Sequence, residues 1–253
     1  FAGRSSPVAP GAVHLLLADS QERVWVGTEG GVSFYDLAGQ WHTFVRDTSP
    51  LAPGKVNVLL EDFHHQVWVG TEGGVSFYDS AGHWQTFTAT RSALAPGAVR
   101  VLLEDSDGQI WVGTDGGVSV YRGYGPWQSY TSGVSGLPSG PVTAMMEDSQ
   151  KRVWVGTELG VGFYEGGVWR RLWPAGSPLA GNAVTSLLED SEKRIWVGTD
   201  EGIGLGEVNP GGAWEWRTFT PNGCTPGRVP GQDDAGGLVW LGLGGNGGRG
   251  QRL

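Results

Sequence analysis

The stretch VRVLLEDSDGQIWVGTDGGV at residues 99–118 decides the fold of this chain of 253 residues. Variants of it recur along the sequence, and each contains one tryptophan, usually at the start of a Trp-Val-Gly-Thr string. These tryptophans are spaced by 43, 43, 43, 42 and 44 residues, at Trp25, Trp68, Trp111, Trp154, Trp196 and Trp240. A period of this kind indicates a repeat architecture, in which every copy is one supersecondary unit.

Each copy predicts four short antiparallel strands joined by tight turns. In the copy at 99–141, the four strands are expected at Val99–Asp105, Gln109–Thr114, Val118–Tyr121 and Trp127–Thr131. The segments between the first three strands, Ser106–Gly108 and Asp115–Gly117, are rich in the Asp and Gly residues that tight turns require. Four such strands per copy are typical of a propeller blade. A helical solenoid is excluded because no segment carries a sustained period of 3.6 residues.

We therefore predict an all-β fold, a single β-propeller domain over 1–253 with five clear blades and a degenerate sixth. The blades are expected at 13–55, 56–98, 99–141, 142–183 and 184–228. Residues 1–12 align with the end of a preceding blade, and residues 229–253 form a degenerate partial blade with a glycine-rich tail. The chain is expected to be a fragment of a larger propeller or an imperfect six-bladed ring.

Composition excludes several classes of function. The net charge is −9, so the chain lacks the basic surface that nucleic-acid binding requires. The single cysteine, Cys224, excludes an internal disulfide and a cysteine-based zinc site. No run approaches the eighteen apolar residues of a membrane-spanning helix.

The recurring string V-x-x-L-L-E-D-S-x-x-[RQ]-[VI]-W-V-G-T-[DE]-x-G-[VI] resembles the two-component regulator propeller repeat. It stands, with substitutions, at Val56–Val75, Val99–Val118, Val142–Val161 and Val184–Ile203. The resemblance implies the periplasmic or extracellular sensor domain of a bacterial membrane protein, followed in the parent protein by a histidine kinase or another signalling output. It also implies an oligosaccharide as a possible ligand and a homodimer as a possible state of the parent protein.

The tryptophans allow a packing and a binding interpretation. Aromatic platforms bind sugars, but burial of one tryptophan removes roughly 150–250 Å² from water, which is reason enough for one in every blade. We therefore interpret the repeated tryptophans as packing residues. Trp173 lies outside the repeat pattern and is the better candidate for a ligand contact.

Acidic residues recur in the turn between the second and third strands of each blade: Glu29, Glu72, Asp115, Glu158 and Asp200. They predict an acidic ring at one mouth of the propeller. The ring could attract cationic groups or a metal ion, or each carboxylate could cap its own turn by accepting backbone N–H bonds. The turn interpretation is favoured, and no metal or cofactor is expected.

Four blades also carry a Glu-Asp pair after the first strand: Glu61-Asp62, Glu104-Asp105, Glu147-Asp148 and Glu189-Asp190. Paired carboxylates serve in glycoside hydrolysis, but a catalytic pair is needed only once. Repetition in successive blades favours a structural turn.

A ligand site has to break the symmetry of the repeat. The second residue of each first strand does so, because it is always polar but is of four different types in the five blades: His14, Asn57, Arg100, Thr143 and Thr185. With Trp173 these positions predict a polar funnel suited to a carbohydrate or another small polar ligand. The alternative is an ordinary hydrated channel.

These observations favour a non-enzymatic sensing propeller that binds a ligand. The first alternative is a protein-interaction platform without a small ligand. The second, a polysaccharide lyase or sialidase-like hydrolase, requires one blade with a unique set of acid and base residues, and the sequence shows none. The His64-His65 pair has no partner at metal-ligand spacing and is interpreted as surface decoration.

Overall fold

The computed structural model describes residues 7–123, 125–131, 136–172, 179–209, 214–221 and 223–224. Within those residues the secondary structure consists of β-strands without an α-helix. The chain divides into two compact units, Phe1–Thr131 and Ser132–Leu253. The predicted all-β fold of four-stranded antiparallel blades is therefore confirmed. The predicted sixth blade at 229–253 and residues 1–6 lie outside the described residues.

The first unit contains three sheets, blades 1 to 3, in which each strand pairs with the next strand in the chain. Blade 1 consists of β1 (Val13–Ala18), β2 (Val24–Thr28), β3 (Gly31–Tyr35) and β4 (Trp41–Val45). Blade 2 consists of β5 (Val56–Glu61), β6 (Val67–Thr71), β7 (Gly74–Tyr78) and β8 (Trp84–Phe87). Blade 3 consists of β9 (Val99–Glu104), β10 (Ile110–Thr114), β11 (Gly117–Tyr121) and β12 (Gln128–Thr131).

The second unit contains blades 4 and 5, with the same strand order. Blade 4 consists of β13 (Val142–Glu147), β14 (Val153–Thr157), β15 (Gly160–Glu165) and β16 (Val168–Leu172). Blade 5 consists of β17 (Val184–Glu189), β18 (Ile195–Thr199), β19 (Ile203–Val208) and β20 (Trp214–Thr220), and the short β21 (Gly223–Cys224) pairs with β20.

Each blade has two faces, because successive residues of a strand point to opposite sides of the sheet. We call the face that carries the first tryptophan the outgoing face and the opposite one the incoming face. In the first unit the outgoing face of one blade packs against the incoming face of the next. Trp25 and Phe34 of blade 1, for example, share a core with Val56 and Val67 of blade 2. A corresponding core joins blade 4 to blade 5 within the second unit.

The tryptophan of every second strand is held by the aspartate that begins the preceding turn. In all five blades the indole Nε1 donates to an Oδ2 atom at 2.7 Å. Burial of an indole N–H costs free energy unless an acceptor is supplied, and the aspartate supplies it inside the core. The packing interpretation of these tryptophans is therefore the one that their contacts support.

The loop before each blade of the first unit is held onto that blade. In blade 2 the backbone N–H of Ala52 donates to Ser76 Oγ at 2.9 Å, and Thr71 Oγ1 donates to the carbonyl of Pro53 at 2.9 Å. The equivalent bonds recur in blades 1 and 3. The loops therefore provide a fixed frame around the beginning of each first strand.

Candidate functional site

The candidate ligand residues share one backbone feature. The ladder between the first and second strands of every blade skips the second residue of the first strand, which is a β-bulge. The skipped residues are His14, Asn57, Arg100, Thr143 and Thr185. Bulges release a residue from strand pairing and redirect its side chain, and they are common next to functional sites. The sequence located these positions, but only the structure shows that each is released from the ladder.

Two of these residues lie next to a carboxylate of the predicted acidic ring. In blade 1, His14 Nε2 lies 3.7 Å from Glu29 Oε1. In blade 3, Arg100 Nε donates to Asp115 Oδ1 at 2.8 Å. The side chain of Arg100 remains 52% exposed, so this pair is accessible to solvent and to a ligand. The bulge residue and the acidic turn are thus parts of one surface within these blades.

The bulge residue of blade 2 links that blade to blade 3. Asn57 Nδ2 donates to the carbonyl of Val99 at 3.1 Å, beside Arg100. Two candidate residues from neighbouring blades are therefore brought together in the first unit. His14, Asn57 and Arg100, with the carboxylates of Glu29, Glu72 and Asp115, form what we call the bulge surface.

The acidic residues also bond to the loop that precedes their own blade. Asp115 Oδ2 accepts the N–H of Ala98 at 3.0 Å, and Glu72 Oε2 accepts that of Lys55 at 3.3 Å. Asp200 makes the equivalent contact with Ala183, also at 3.3 Å. The carboxylates thus bond the neighbouring loop as well as facing solvent. Over the residues that the structure describes, no three His, Cys, Asp or Glu side chains converge to hold a metal ion.

In the second unit the candidate residues are more dispersed. Thr185 and Asp200 line a cavity of about 480 Å³ at one side of blade 5. Thr143 and Glu158 are exposed on blade 4. Trp173, the aromatic candidate, lies outside the described residues.

Sequence reasoning missed the role of the glutamates in the Glu-Asp pairs. Each aspartate is held at its tryptophan, whereas the glutamate reaches the preceding blade. Glu189 of blade 5 accepts the N–H of Ser149 at 2.7 Å and its hydroxyl at 2.8 Å. Glu61 makes the same two contacts with Ser20 of blade 1. We call this contact the glutamate clip; the serine that recurs at the turn position was the signal in the sequence.

The glutamate clip between blades 2 and 3, in which Glu104 of blade 3 contacts the turn of blade 2, is modified. Phe63 replaces the serine, so Glu104 accepts only a backbone N–H, at 2.9 Å. Burial raises the pKa of Glu104, and this bond only partly offsets that effect. The side chain of Phe63 itself is 80% exposed.

Two aspartates that lie beside arginines, Asp19 and Asp190, have a lowered pKa instead. Burial would raise the pKa of Asp19, but hydrogen bonds from Trp25 Nε1 and from the backbone and side chain of Arg23 hold that pKa below its usual value. The pKa of Asp190 in blade 5 is lowered in the same way. The arginine of blade 1 also lies over the Trp25 ring at 5.3 Å, a cation–π contact. These ionised groups belong to the packing of the blades.

The fold and its repeated turns define the chain as a β-propeller protein, and solved structures agree. Two extracellular domains of hybrid two-component systems from B. thetaiotaomicron match with TM-scores of 0.63 and 0.62, at 22% and 21% identity. They cover 76% and 78% of this chain, which spans only 27% of either domain. Virginiamycin B lyase from Staphylococcus aureus matches with a TM-score of 0.57 at 17% identity, over 83% of this chain and 71% of the lyase.

The family follows from the sequence itself. The profile of the two component regulator propeller matches residues 93–116, 136–158 and 178–201. Three repeats of the chain thus match the two-component regulator propeller, and the resemblance is confirmed. No curated protein matches the chain. In the part of the chain that the structure describes, no helix is long and apolar enough to cross a membrane.

Proposed function

We propose that this chain is the non-enzymatic sensing domain of a bacterial two-component signalling protein, and that it binds an oligosaccharide at the bulge surface outside the cytoplasm. The observation that carries the proposal is the β-bulge in each of the five described blades, which presents polar side chains of four different types on an otherwise constant frame. The repeat family and the extracellular sensor domains of similar fold support the signalling context.

The chemistry of the bulge surface suits a neutral polyhydroxylated ligand. A sugar hydroxyl both donates and accepts, so it is best met by a donor and an acceptor held side by side. Arg100 and Asp115 form such a pair, joined at 2.8 Å, and His14 and Glu29 form a second at 3.7 Å. Because His14 and Arg100 each lie beside a carboxylate, the surface favours neither a strongly anionic nor a strongly cationic molecule.

The bulge surface also crosses a blade boundary, which gives binding a route to signalling. Asn57 of blade 2 is bonded to the backbone of blade 3 next to Arg100. A ligand that contacts Arg100 and Asn57 together stabilises one arrangement of these two blades over others. Such a difference in affinity between arrangements is what a ligand needs to bias an output domain in the parent protein, for which a histidine kinase is proposed.

A binding role is favoured over catalysis because the carboxylates most suited to acid–base chemistry are structurally engaged. The aspartate of every Glu-Asp turn holds a tryptophan, and three of the glutamates bond the preceding blade. A glycoside hydrolase requires two carboxyl groups that flank the scissile bond of the substrate, and such a pair is needed in one blade only.

The test is a glycan array followed by calorimetry with the best glycan. Arg100→Ala combined with Asn57→Ala is expected to weaken binding at least tenfold, equivalent to about 1.4 kcal/mol. The matched control is Arg122→Ala, since that arginine bonds Gln109 and Gln128 elsewhere on blade 3. Unchanged binding by the double variant would exclude the bulge surface.

The runner-up is a protein-interaction platform without a small ligand. The exposed Phe63 beside His64, with ring centroids 5.8 Å apart, is the observation that favours it. A stable protein partner recovered by pull-down and lost in Phe63→Ser, together with no response on the glycan array, would favour the platform over the sensor.

A further inference from the structure

The sequence predicts the His64-His65 pair as surface decoration, but the structure shows His65 within the glutamate clip between blades 1 and 2. His65 Nδ1 lies 2.8 Å from Ser20 Oγ of blade 1 and 3.5 Å from Glu61 Oε1 of its own blade. Glu61 in turn accepts the backbone N–H of Ser20 at 2.8 Å and its hydroxyl. An imidazole, a hydroxyl and a carboxylate therefore meet where the turn of blade 2 contacts the turn of blade 1.

A left-handed turn residue places this imidazole at the clip. His65 has a φ of 60°, and the residues at the same turn position in the other blades are Glu22, Gly108, Lys151 and Lys193. Histidine is the side chain that ordinarily changes its charge between about pH 5 and 8. The side chain of His65 is 60% exposed, so its ring exchanges protons with the solvent directly.

The number of protons in the cluster decides how many of its hydrogen bonds form. The Ser20 hydroxyl has one proton, which it donates to Glu61. A neutral imidazole carries a proton on only one of its nitrogens, so Nδ1 is an acceptor whenever that proton is on Nε2. Glu61 and His65 then compete for the single serine proton. Protonation of the ring puts a proton on Nδ1 in every molecule, so that Nδ1 donates to Ser20 Oγ while Ser20 still donates to Glu61.

The charge at this site acts in the same direction as the proton count. In the described part of the chain, the carboxylate that pairs with His65 is that of Glu61, whose side chain is only 17% exposed. The other charged or titratable groups on the turns that meet here are Asp19, Glu22, Arg23, Asp62, His64, Glu104 and Asp105. Asp19 and Asp62 are bonded to their own tryptophans. An imidazolium beside Glu61 therefore adds a charge-assisted contact to the clip.

We propose that His65, Ser20 and Glu61 make the junction between blades 1 and 2 sensitive to pH. As pH falls through the range in which histidine gains a proton, the chain from imidazolium to hydroxyl to carboxylate is completed and the clip closes more firmly. Protonation and closure favour each other, so this stabilisation is present at low pH and is lost as pH rises. The device needs no ligand, and its test is separate from that of sugar binding.

Hydrogen exchange of the Ser20 amide measures closure of this clip, since that N–H donates to Glu61 Oε2. NMR exchange rates of the whole chain, corrected for the intrinsic effect of pH, give a protection factor at each pH. Between about pH 8 and pH 5.5 the protection of Ser20 should rise roughly twofold to fivefold, the effect of one exposed charge-assisted contact. The internal reference is the Ser149 amide, which donates to Glu189 in a clip whose turn has Lys193 in place of the histidine. Its protection should stay constant over this range.

Two substitutions of His65 should alter the response in opposite ways. His65→Asn keeps a residue that tolerates left-handed backbone, and it should hold Ser20 at its pH 8 protection throughout. His65→Lys stays charged over this range and should hold Ser20 at its acid protection. The matched control is His83→Asn, since His83 lies 3.4 Å from Asp79 at the same spacing of four residues but within one blade. The control should respond to pH as the wild type does.

Glu104 also contacts the turn of blade 2, and burial raises its pKa. Because Glu104 bonds the turn at Phe63 and not within the cluster, Glu104→Gln should leave the response of Ser20 unchanged. A Ser20 protection that is constant with pH, or that falls on acidification, would overturn the proposal. A response that survives in His65→Asn or disappears in Glu104→Gln would overturn it too. A parallel rise at Ser149 would assign the effect to the chain as a whole and would count equally against it.

Discussion

Removal of one buried carboxylate tests the account of how a blade is held together. Asp62 is 6% exposed, and Trp68, whose indole it bonds at 2.7 Å, is fully buried. The other carboxylate oxygen accepts the backbone N–H groups of His64 at 2.9 Å and Gln66 at 2.8 Å. In Asp62→Ala the indole N–H loses its acceptor inside the core, and the turn loses both of its bonds.

The magnitude follows from these three bonds. A buried donor left without an acceptor costs about 1–3 kcal/mol, and each bond from a partly solvated N–H contributes about 0.5–1 kcal/mol. Because a relaxed turn lets water reach part of the site, the contributions overlap, and we expect a net loss of about 2–4 kcal/mol in the free energy of unfolding.

The assay is urea denaturation followed by tryptophan fluorescence and circular dichroism, with midpoint and slope compared between variants. Trp68→Phe completes a double-mutant cycle, in which a coupling of about 1–2 kcal/mol is expected. Asp79→Ala is the control, since this aspartate makes similar turn bonds to Ala81 and His83 in the same blade but on its surface. A loss below about 1 kcal/mol, or effects that simply add, would refute the reasoning.

Three further outcomes are expected. Glu189→Ala should lower the stability of the second unit by about 1 kcal/mol, since its two bonds to Ser149 are partly screened by solvent, and Glu189→Gln should lose less in the same thermal melt. Glu22 and Gly108 occupy the same turn position, with φ of 60° and 74°. Glu22→Gly should therefore raise the free energy of unfolding by about 0.5–1 kcal/mol, and Gly108→Ala should lower it by a similar amount. Calorimetry measures both changes, and changes of the opposite sign would contradict a left-handed turn. Asp19 has a folded pKa below its usual 3.8, so its share of stability is present above pH 3.8 and is lost as pH falls through the folded value. Asp19→Asn should therefore be less stable than wild type at pH 7, and a gap in melting temperature that does not narrow under strongly acidic conditions would count against it.

The fold could be read from the sequence because its signals are local and repeated. Asp and Gly residues indicate each turn, and a short run of β-forming residues indicates each strand. Because this pattern occurs in five copies, all five support the same interpretation. The predicted strand bounds differ slightly from the observed ones where the local sequence pattern does not match the pairing of the strands. Trp127 was predicted to begin the fourth strand of blade 3, but that strand begins at Gln128, and the Trp127 side chain is 7% exposed in the core between blades 2 and 3.

The candidate site was only partly predictable, for a physical reason that Glu104 and Asp105 illustrate. Neighbours in sequence, they belong to different interactions, because adjacent residues of an extended chain point to opposite sides. The aspartate bonds the Trp111 indole of its own blade, and the glutamate bonds the preceding blade at Phe63. Nothing in the local sequence states which blade a side chain reaches.

The sequence by itself determined the period, the blade and the repeat family, since these depend on residue spacing and on turn chemistry. Only the tertiary structure decided that His14, Asn57 and Arg100 stand on β-bulges and that Asn57 bonds the backbone beside Arg100. It also decided that Val56 and Val99 are buried between blades. Those properties depend on how one sheet packs against the next, and residues about forty positions apart come together only once the blades are stacked.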